Sequence, residues 1–457
     1  MACQKPLPPL AVAQFTSVFT ELIAPEKLAA LCVQHAPLAR TKPKLTTTQL
    51  VSGLIYHQLQ PAGSLGQHTA QLHGTTMSES AHAQRRQGWP PDLFTEIMAA
   101  ALRPLADPGR HPQAFFRGWR LVGIDGTEWS ATNTPALRQA LPKAATRRLS
   151  AAFAKVRLMT LVELGVHQPL GAVAAAASEG EQTLAKKLWP QVPDQSLLIG
   201  DRAFGTPRTL WEAVQAWRGR EVAYLVRVRK NVQVKIVERL ADGSAIVEVP
   251  VHAKTNSRKV EATLRLREIH AEGVGAGGQR FSLRLWTNLL DAIAYPALEL
   301  ATQYAGRWEQ ELYYRELKLD VRSSSLLTSH TMETALQELA ALVLAMAVVA
   351  QVRVAAADQL AVPPLRVSFL KILILTQQLW HSFGWGRRGR TPAQARAICD
   401  GYFADVRLLA ILPERRKRSC PRVVRQPVSS WPRKLDPKNA RPASPSHPTE
   451  IKIVRLP

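Results

Sequence analysis

The chain has 457 residues, which is more than one compact core usually contains, so two or three domains are expected. Hydrophobic residues make up 46% of the sequence, and this excludes wholesale disorder. Lysine and arginine number 59 against 35 aspartates and glutamates, and the formal net charge of +24 favours a polyanionic partner. Composition leaves open whether that partner is DNA, RNA or an anionic membrane surface, or whether the charge is only a solvated basic surface.

The four cysteines and the apolar runs exclude several further classes. No cysteine pair has the spacing of a zinc site, and the absence of a disulfide framework fits a reducing cytoplasm. The N-terminal residues lack a basic region followed by an apolar stretch, so no export signal is expected. The longest apolar run, Ala340 to Ala350, is too short to span a bilayer and predicts a buried helix.

Residues 1–115 are predicted to form a helical N-terminal domain that binds DNA. A helix is expected from Leu45 to Leu59, followed by a break at Pro61 and the glycines after it. A polar stretch from Ser78 to Gln87 contains Arg85 and Arg86, which are candidate DNA-binding residues. Helix, turn and polar helix in this order resemble a helix-turn-helix, although any small helical bundle has the same pattern.

Residues 116–230 are predicted to form the first part of an α/β core. Short apolar runs at RLVGIDGTEWS, Val156 to Gly165, Leu170 to Ala177, SLLIGDRAF and EVAYLVRVR indicate buried strands. Helices are expected between Glu179 and Trp189 and from Pro207 onward. The resulting βββαβαβ order predicts a mixed sheet flanked by helices.

The rest of the chain changes character twice. Residues 231–283 alternate in polarity and contain a glycine-rich loop, which predicts an all-β insertion. Residues 284–410 return to helical periodicity and are predicted to complete the core, with one helical segment from Tyr295 to Lys318 and another from Met332 to Ala357. Residues 411–457 contain Arg415 to Arg418 among many prolines and are predicted to form a basic extended tail.

Three acids have positions that favour metal binding. Asp125 in IDGT and Asp201 in GDRAF are expected at the ends of buried strands, and Glu311 on the helix after the insertion. Acids at neighbouring strand ends repel one another unless a cation lies between them, and oxygen ligands favour Mg²⁺ or Mn²⁺. Two such ions stabilise the attacking and leaving oxygens of a displacement at phosphorus. A purely structural alternative is that each aspartate only caps the turn that follows it.

Glu311 shares a predicted helical face with three other polar residues. Tyr304, Arg307, Glu311 and Lys318 have offsets of three, four and seven residues. An ordinary i, i+4 ion pair explains Arg307 and Glu311 but leaves Tyr304 and Lys318 unexplained. The pattern resembles the Y-R-E-K signature of the insertion-sequence-four family of DDE transposases, and LWTNL, RELK, DGT and DR resemble that family too.

The resemblance covers about Trp119 to Met346 and implies an RNase H-like catalytic core interrupted by a β-rich insertion. Asp125, Asp201 and Glu311 match the family's metal-binding acids. The positions that match contacts to the DNA backbone are Tyr304, Arg307 and Lys318, and Arg202 follows the second acid directly. Trp308 matches a position where related enzymes stack a flipped base, and its structural alternative is a core tryptophan. Gly200 and Ala203 depart from the commoner ADRG context, which affects the expected shape of this loop.

The function that the resemblance implies is metal-dependent strand cleavage and transfer at the ends of an insertion element. The expected partners are double-stranded DNA, as terminal inverted repeats and as target, and a second copy of the chain in the synaptic complex. No membrane partner is expected, and the expected location is the bacterial cytoplasm, in association with the nucleoid. Two alternatives stay open: a catalytically silent DNA-binding descendant of a transposase, or another RNase H-like nuclease such as a junction resolvase.

Overall fold

The computed structural model describes residues 15–35, 43–141, 153–254, 259–275, 278, 280–322, 324–384, 391–413 and 448–454. The chain divides into two compact units, each built from two segments of the sequence. Unit 1 contains Met1–Pro193 and Glu309–Pro413, and unit 2 contains Asp194–Trp308 and Glu414–Pro457. The domain boundaries expected at residues 115, 230, 283 and 410 stay a prediction. The predicted Arg415 to Arg418 cluster and part of the glycine-rich loop lie outside the described residues.

An all-helical start is followed by a mixture of strands and helices. The helices are α1 Phe15–Leu22, α2 Pro25–His35, α3 Thr47–Gln58, α4 Leu65–His73, α5 Glu79–Gln87, α6 Asp92–Ala101, α7 Pro135–Ala140, α8 Glu181–Leu188, α9 Pro207–Ala216, α10 Ala297–Tyr304, α11 Trp308–Arg315, α12 Met332–Leu360, α13 Phe369–Gly384 and α14 Pro392–Asp405. The strands are β1 Phe115–Phe116, β2 Trp119–Ser130, β3 Lys155–Glu163, β4 Gln168–Ala176, β5 Ser196–Gly200, β6 Val222–Arg227, β7 Lys235–Arg239, β8 Ala245–His252, β9 Val260–Gly275, β10 Arg280–Thr287 and β11 Pro448–Ile453.

The helical start of unit 1 contains a further helix between the two helices that the sequence analysis placed there. Helices α3 and α5 occupy the two predicted positions, and α4 lies between them. Glycines weaken the helical pattern around Leu65, but a capping box at Ser64 and Gln67 satisfies two backbone N–H groups at the start of α4. The helix ends at Gly74, whose φ of 71° closes it in the left-handed conformation.

Unit 1 also contains a three-stranded antiparallel meander. β2 pairs with β3, and β3 pairs with β4, with Asp125 opposite Thr160 and Thr160 opposite Ala172. The connection between β3 and β4 turns at His167, which has a φ of 56°. The predicted strand pair is therefore confirmed, with β4 beginning at Gln168.

The long helix α12 is the centre of the unit 1 core. It begins at a capping box formed by Thr331 and Thr334 and runs for 29 residues. Its composition would allow it to cross a membrane, but 89% of its most apolar window is buried inside the protein. It packs against α3, α6, α13 and β4, so the predicted buried helix is confirmed.

Unit 2 combines a parallel strand pair with an antiparallel extension. β5 and β6 are parallel, and α9 connects them, beginning at Pro207 as predicted. β6 continues antiparallel to β10, which pairs with β9, then β8, then β7. The predicted α/β class with its mixed sheet is confirmed. The chain contains antiparallel and parallel strand pairs, flanking helices and a β-rich insertion. Residues 231–234 of the predicted insertion precede its first strand, β7.

A buried arginine connects the insertion to the loop before α10. Arg267 is fully buried on β9 and forms an ion pair with Asp242. Its guanidinium also donates to the carbonyl of Tyr295 at 2.7 Å. Asp242 in turn accepts from the backbone N–H of Ala297, the first residue of α10, at 2.9 Å. The charge of Arg267 is thus fully hydrogen-bonded, as a buried charge requires.

The C-terminal residues form a strand that the sequence analysis did not predict. β11 pairs antiparallel with β9 over residues 271–275, beyond the stretch where β8 pairs with β9. The expected extended tail is therefore in part a sheet strand, because the open edge of β9 supplies backbone partners that local sequence does not show.

Candidate active site

Asp125 lies within β2 and not at its end. The strand continues to Ser130, and its second half stays paired with β3 as far as Lys155. The strand-end position expected for Asp125 is therefore wrong, because the polar residues after it belong to a partly exposed strand. The Asp125 carboxylate accepts from the N–H of Gly126 at 2.8 Å, and its backbone carbonyl accepts from the Tyr314 hydroxyl at 2.5 Å.

Asp201 directly follows β5, as the sequence predicted. Its carboxylate accepts from the backbone N–H of Ala203 at 2.7 Å, which closes a tight turn. Gly205 lets this turn pass close to β6, because a Cβ there would lie 1.9 Å from the carbonyl oxygen of Arg227. The close packing of Gly205 against β6 constrains the turn, and the turn carries the partly exposed Asp201 side chain.

Glu311 lies in the first turn of α11 and is partly exposed. The helix is not the continuous α-helix that the sequence predicted from Tyr295 to Lys318. Residues Ala305–Arg307 form a 3-10 turn before it, and Glu316–Val321 form a π-helical turn after it. Because both turns change the angle between successive side chains, the expected single face holding Tyr304, Arg307, Glu311 and Lys318 is wrong as a simple α-helical stripe.

Unit 2 brings several charged side chains to the neighbourhood of Asp201. Burial lowers the pKa of Arg227, and Tyr304, Arg202, Arg307 and Asp201 all act on it electrostatically. Tyr304 is 6% exposed, and burial raises its pKa to about 12, so its hydroxyl stays protonated. Two of the signature residues, Tyr304 and Arg307, therefore share an electrostatic neighbourhood with Asp201 in this unit.

A cavity of about 590 Å³ opens beside the second acid, and it is lined by Asp201, Arg202, Ala203, Arg229, Lys230 and Asn231. Arg229 and Lys230 were not predicted, and both are exposed. The signal that could have identified them is the RVRK sequence at the end of β6, where basic residues follow a buried strand. Cations clustered around a cleft attract polyanions.

Lys318 makes a hydrogen bond and an aromatic contact within unit 1. Its ammonium group donates to the backbone carbonyl of Glu128 at 2.8 Å and lies 5.5 Å from the centre of the Trp129 ring. Burial lowers the pKa of Lys318. The ammonium group of Lys318 therefore already has partners within unit 1, and its contact with DNA stays a prediction.

Arg85 and Arg86 both make contacts within unit 1. Arg86 donates to the Thr334 carbonyl at 2.9 Å and to the Gln337 side chain at 3.2 Å, and Gln337 donates back to the Arg86 carbonyl at 2.8 Å. Arg85 donates to the Leu45 carbonyl at 3.5 Å. These contacts give Arg86 a structural role between α5 and α12. DNA binding by either arginine, and base stacking by the partly exposed Trp308, stay predictions.

The three candidate acids belong to different units, Asp125 and Glu311 to unit 1 and Asp201 to unit 2. Within the part of the chain that the structure describes, no group of three or more His, Cys, Asp or Glu side chains has an arrangement that could hold a metal ion. The expected cluster of three carboxylates is therefore not found among these residues, and each acid is characterised by its own surroundings.

Comparison with known families identifies the class of protein. Residues 120–348 match the family described as "Transposase DDE domain", which covers half of the chain. The chain therefore belongs to the DDE transposases, enzymes that cleave DNA and transfer its strands. The family predicted from the tyrosine, arginine, glutamate and lysine signature is confirmed.

Two relatives from Escherichia coli agree with this assignment. The chain is 27% identical over 364 residues to the transposase InsG for insertion sequence element IS4 of Escherichia coli K12, covering 78% of each protein. It is 30% identical over 125 residues to the putative transposase InsZ of the same organism, covering 27% of this chain and 41% of that protein. A piggyBac transposase synaptic complex with hairpin DNA has 10% identity and a TM-score of 0.42, covering 89% of this chain and 87% of that one.

Proposed function

We propose that this transposase cuts and rejoins the ends of its own insertion element with Asp125, Asp201 and Glu311 as the acids that hold divalent metal. DDE transposases generally use a divalent metal, and the donor chemistry here fits Mg²⁺ or Mn²⁺, because all three groups are carboxylates on partly exposed positions. Bound metal would stabilise charge on the attacking and leaving oxygens at phosphorus. The experiment that tests this proposal is a strand-transfer assay with and without Mg²⁺.

The observation that carries the proposal is the cation-lined cavity beside Asp201. Arg202, Arg229 and Lys230 surround a carboxylate there, and each can bind a phosphate oxygen of the DNA backbone. A phosphodiester in this cavity would lie against the acid of the same turn. The cations offset the repulsion between that acid and the phosphate, so binding and chemistry occur at one place.

In the proposed mechanism, the signature residues make further contacts with the DNA. Tyr304 donates a hydrogen bond from a hydroxyl that stays protonated, and Arg307 offers a planar pair of donors to phosphate. Trp308 provides an aromatic face on which an unpaired base can stack, at about 1–3 kcal/mol per base. Lys318 joins this set when it exchanges the Glu128 carbonyl for a phosphate oxygen.

The proposed substrate is double-stranded DNA that carries the terminal inverted repeats, and the proposed target is a second duplex. Two copies of the chain would act together in the synaptic complex, one at each end of the element. The proposed location is the cytoplasm, at the nucleoid.

The alternative of a silent DNA-binding descendant predicts that repeat-end DNA is bound but never cut. The alternative of another RNase H-like nuclease predicts cutting at branched DNA without joining. In the strand-transfer assay, cleaved ends joined to target DNA support the proposal, whereas either of these two results contradicts it.

A further inference from the structure

Four polar groups of unit 1, one of them the backbone carbonyl of Asp125, form a chain of hydrogen bonds. The Gln310 amide nitrogen lies 2.9 Å from the Thr160 hydroxyl, which lies 2.9 Å from the Tyr314 hydroxyl. Tyr314 donates in turn to the backbone carbonyl of Asp125 at 2.5 Å. Gln310 and Thr160 are fully buried, and Tyr314 is 7% exposed. The chain therefore joins helix α11 to strands β2 and β3 in a region of low dielectric.

Every hydrogen bond in this chain has a defined direction. A carbonyl oxygen can only accept, so Tyr314 must donate to Asp125. The Tyr314 oxygen then accepts from Thr160, and the Thr160 oxygen accepts from the Gln310 amide. Hydrogen bonds aligned head to tail strengthen one another.

The other end of the Gln310 amide lies beside Gly123. The Gln310 side-chain oxygen meets no hydrogen-bond partner among the described residues, although burying such a group without one costs free energy. Gly123 provides the space for that oxygen, because a Cβ at position 123 would lie 2.5 Å from it. The amide is thus held with its nitrogen toward Thr160 at the expense of its own oxygen.

We infer that Tyr314 is a positioning residue whose hydroxyl fixes the backbone of Asp125 relative to Glu311, three residues earlier on the same helix. Gln310, adjacent to Glu311, makes the second connection from that helix through Thr160 on β3. The spacing of two carboxylates determines how well they share a cation, so a loosened connection weakens metal binding before it affects the fold. This inference rests on the roles proposed above for Asp125 and Glu311.

The neighbouring tyrosine provides a matched control. The Tyr313 hydroxyl is buried and has no hydrogen-bond partner in the described part of the chain. Tyr313→Phe therefore removes a hydroxyl without breaking a hydrogen bond. Tyr314→Phe removes the oxygen that bonds to Asp125 and Thr160. In the full-length protein we expect Tyr314→Phe to raise the Mg²⁺ concentration for half-maximal cleavage of a terminal-repeat duplex about tenfold. Tyr313→Phe leaves that concentration unchanged.

A second readout needs no catalysis. Mn²⁺ alone raises the thermal midpoint of a protein that binds it, and the rise depends on affinity. We expect Tyr314→Phe to need a correspondingly higher Mn²⁺ concentration for the same rise and to bind metal-free repeat DNA as the wild type does. A merely structural role would instead lower the metal-free midpoint and leave both metal dependences as they are.

Thr160 tests the same chain if Tyr314→Phe does not fold. Thr160→Val removes the hydroxyl at nearly constant shape and is expected to raise both metal requirements, whereas Thr160→Ser keeps the hydroxyl and restores them. Wild-type metal dependence in Tyr314→Phe, or in Thr160→Val, would overturn the inference. Undiminished cleavage by Asp125→Asn or Glu311→Gln would instead overturn the proposed function, and the inference with it.

Discussion

The Nδ1 atom of His167 lies 2.6 Å from a carboxylate oxygen of Glu316, in the π-helical turn that follows α11. Its other ring nitrogen lies 3.0 Å from the carboxylate of Glu309, in the first turn of the same helix. Glu316 is also 3.2 Å from the guanidinium of Arg353 on α12. The fully buried imidazole therefore holds both ends of the helix that carries Glu311, and it can donate to both acids only as imidazolium.

The first prediction concerns the stability that His167 contributes. Burial, the largest influence, lowers the pKa of His167, but Glu316 and Glu309 together outweigh it and the pKa is raised from 6.5. A raised pKa means that this stability is fully present below pH 6.5 and is lost as the pH rises through the folded-state value. His167→Gln should cost about 3 kcal/mol or more at pH 6 and less at about pH 9. Urea denaturation at both pH values measures this difference.

His330→Gln is the control for that experiment, because His330 is exposed in the same unit. It should change the free energy of unfolding by less than about 0.5 kcal/mol at either pH. An equal loss at both pH values for His167→Gln would show that the imidazole acts as a neutral packing group.

The second prediction concerns the three acids. Asp125→Asn, Asp201→Asn and Glu311→Gln should each abolish cleavage while DNA binding stays largely intact, because each removes a proposed metal ligand and not a phosphate contact. Cleavage and gel-shift assays on terminal-repeat DNA measure the two effects separately. Glu272→Gln, which changes an exposed acid on β9, should leave both unaffected. Full cleavage by any one of the three variants would exclude that acid as a ligand.

The third prediction concerns the cavity beside Asp201. Lys230→Ala should weaken binding to every DNA sequence tested and reduce the slope of log affinity against log salt by about 0.9, the effect of one lost phosphate contact. Lys235→Ala is the matched control, since Lys235 is an exposed lysine paired with Glu248 at 3.2 Å. A salt slope that is the same for Lys230→Ala and wild type would exclude the phosphate contact. Lys318→Ala is a less specific test of a phosphate contact, because it also removes the hydrogen bond to the Glu128 carbonyl.

The fourth prediction concerns the turn that carries Asp201. In Gly205→Ala, the new methyl group would collide with the Arg227 carbonyl, so the turn must move. We expect a destabilisation of about 1–3 kcal/mol and a loss of cleavage larger than the loss of fold. Gly401→Ala in α14, where a Cβ has no heavy atom within 4 Å, should be neutral or stabilise the helix by up to about 1 kcal/mol. Wild-type cleavage by Gly205→Ala would show that the turn adapts without moving the acid.

The sequence was sufficient to predict the order of strands β2 to β6 and of helices α8 and α9, because buried strands and capped helices have local patterns, but it did not predict α7 between β2 and β3. The sequence also correctly predicted that Asp201 follows the end of a buried strand. It failed for the strand position of Asp125, since pairing with β3 and not local apolarity determines where β2 ends. The 3-10 and π-helical turns around Glu311 were also missed, because tertiary contacts such as those of His167 and Lys318 overrule the regular period there.

The edge strand β11 determines when the edge of β9 becomes paired during translation. Its partner stretch, residues 271–275 of β9, is synthesised more than 170 residues earlier than Pro448–Ile453. During translation that edge exposes unpaired backbone groups while the whole second segment of unit 1 is being made. A chain that ends in this interval would keep an open strand edge, which can pair with other chains and lead to aggregation.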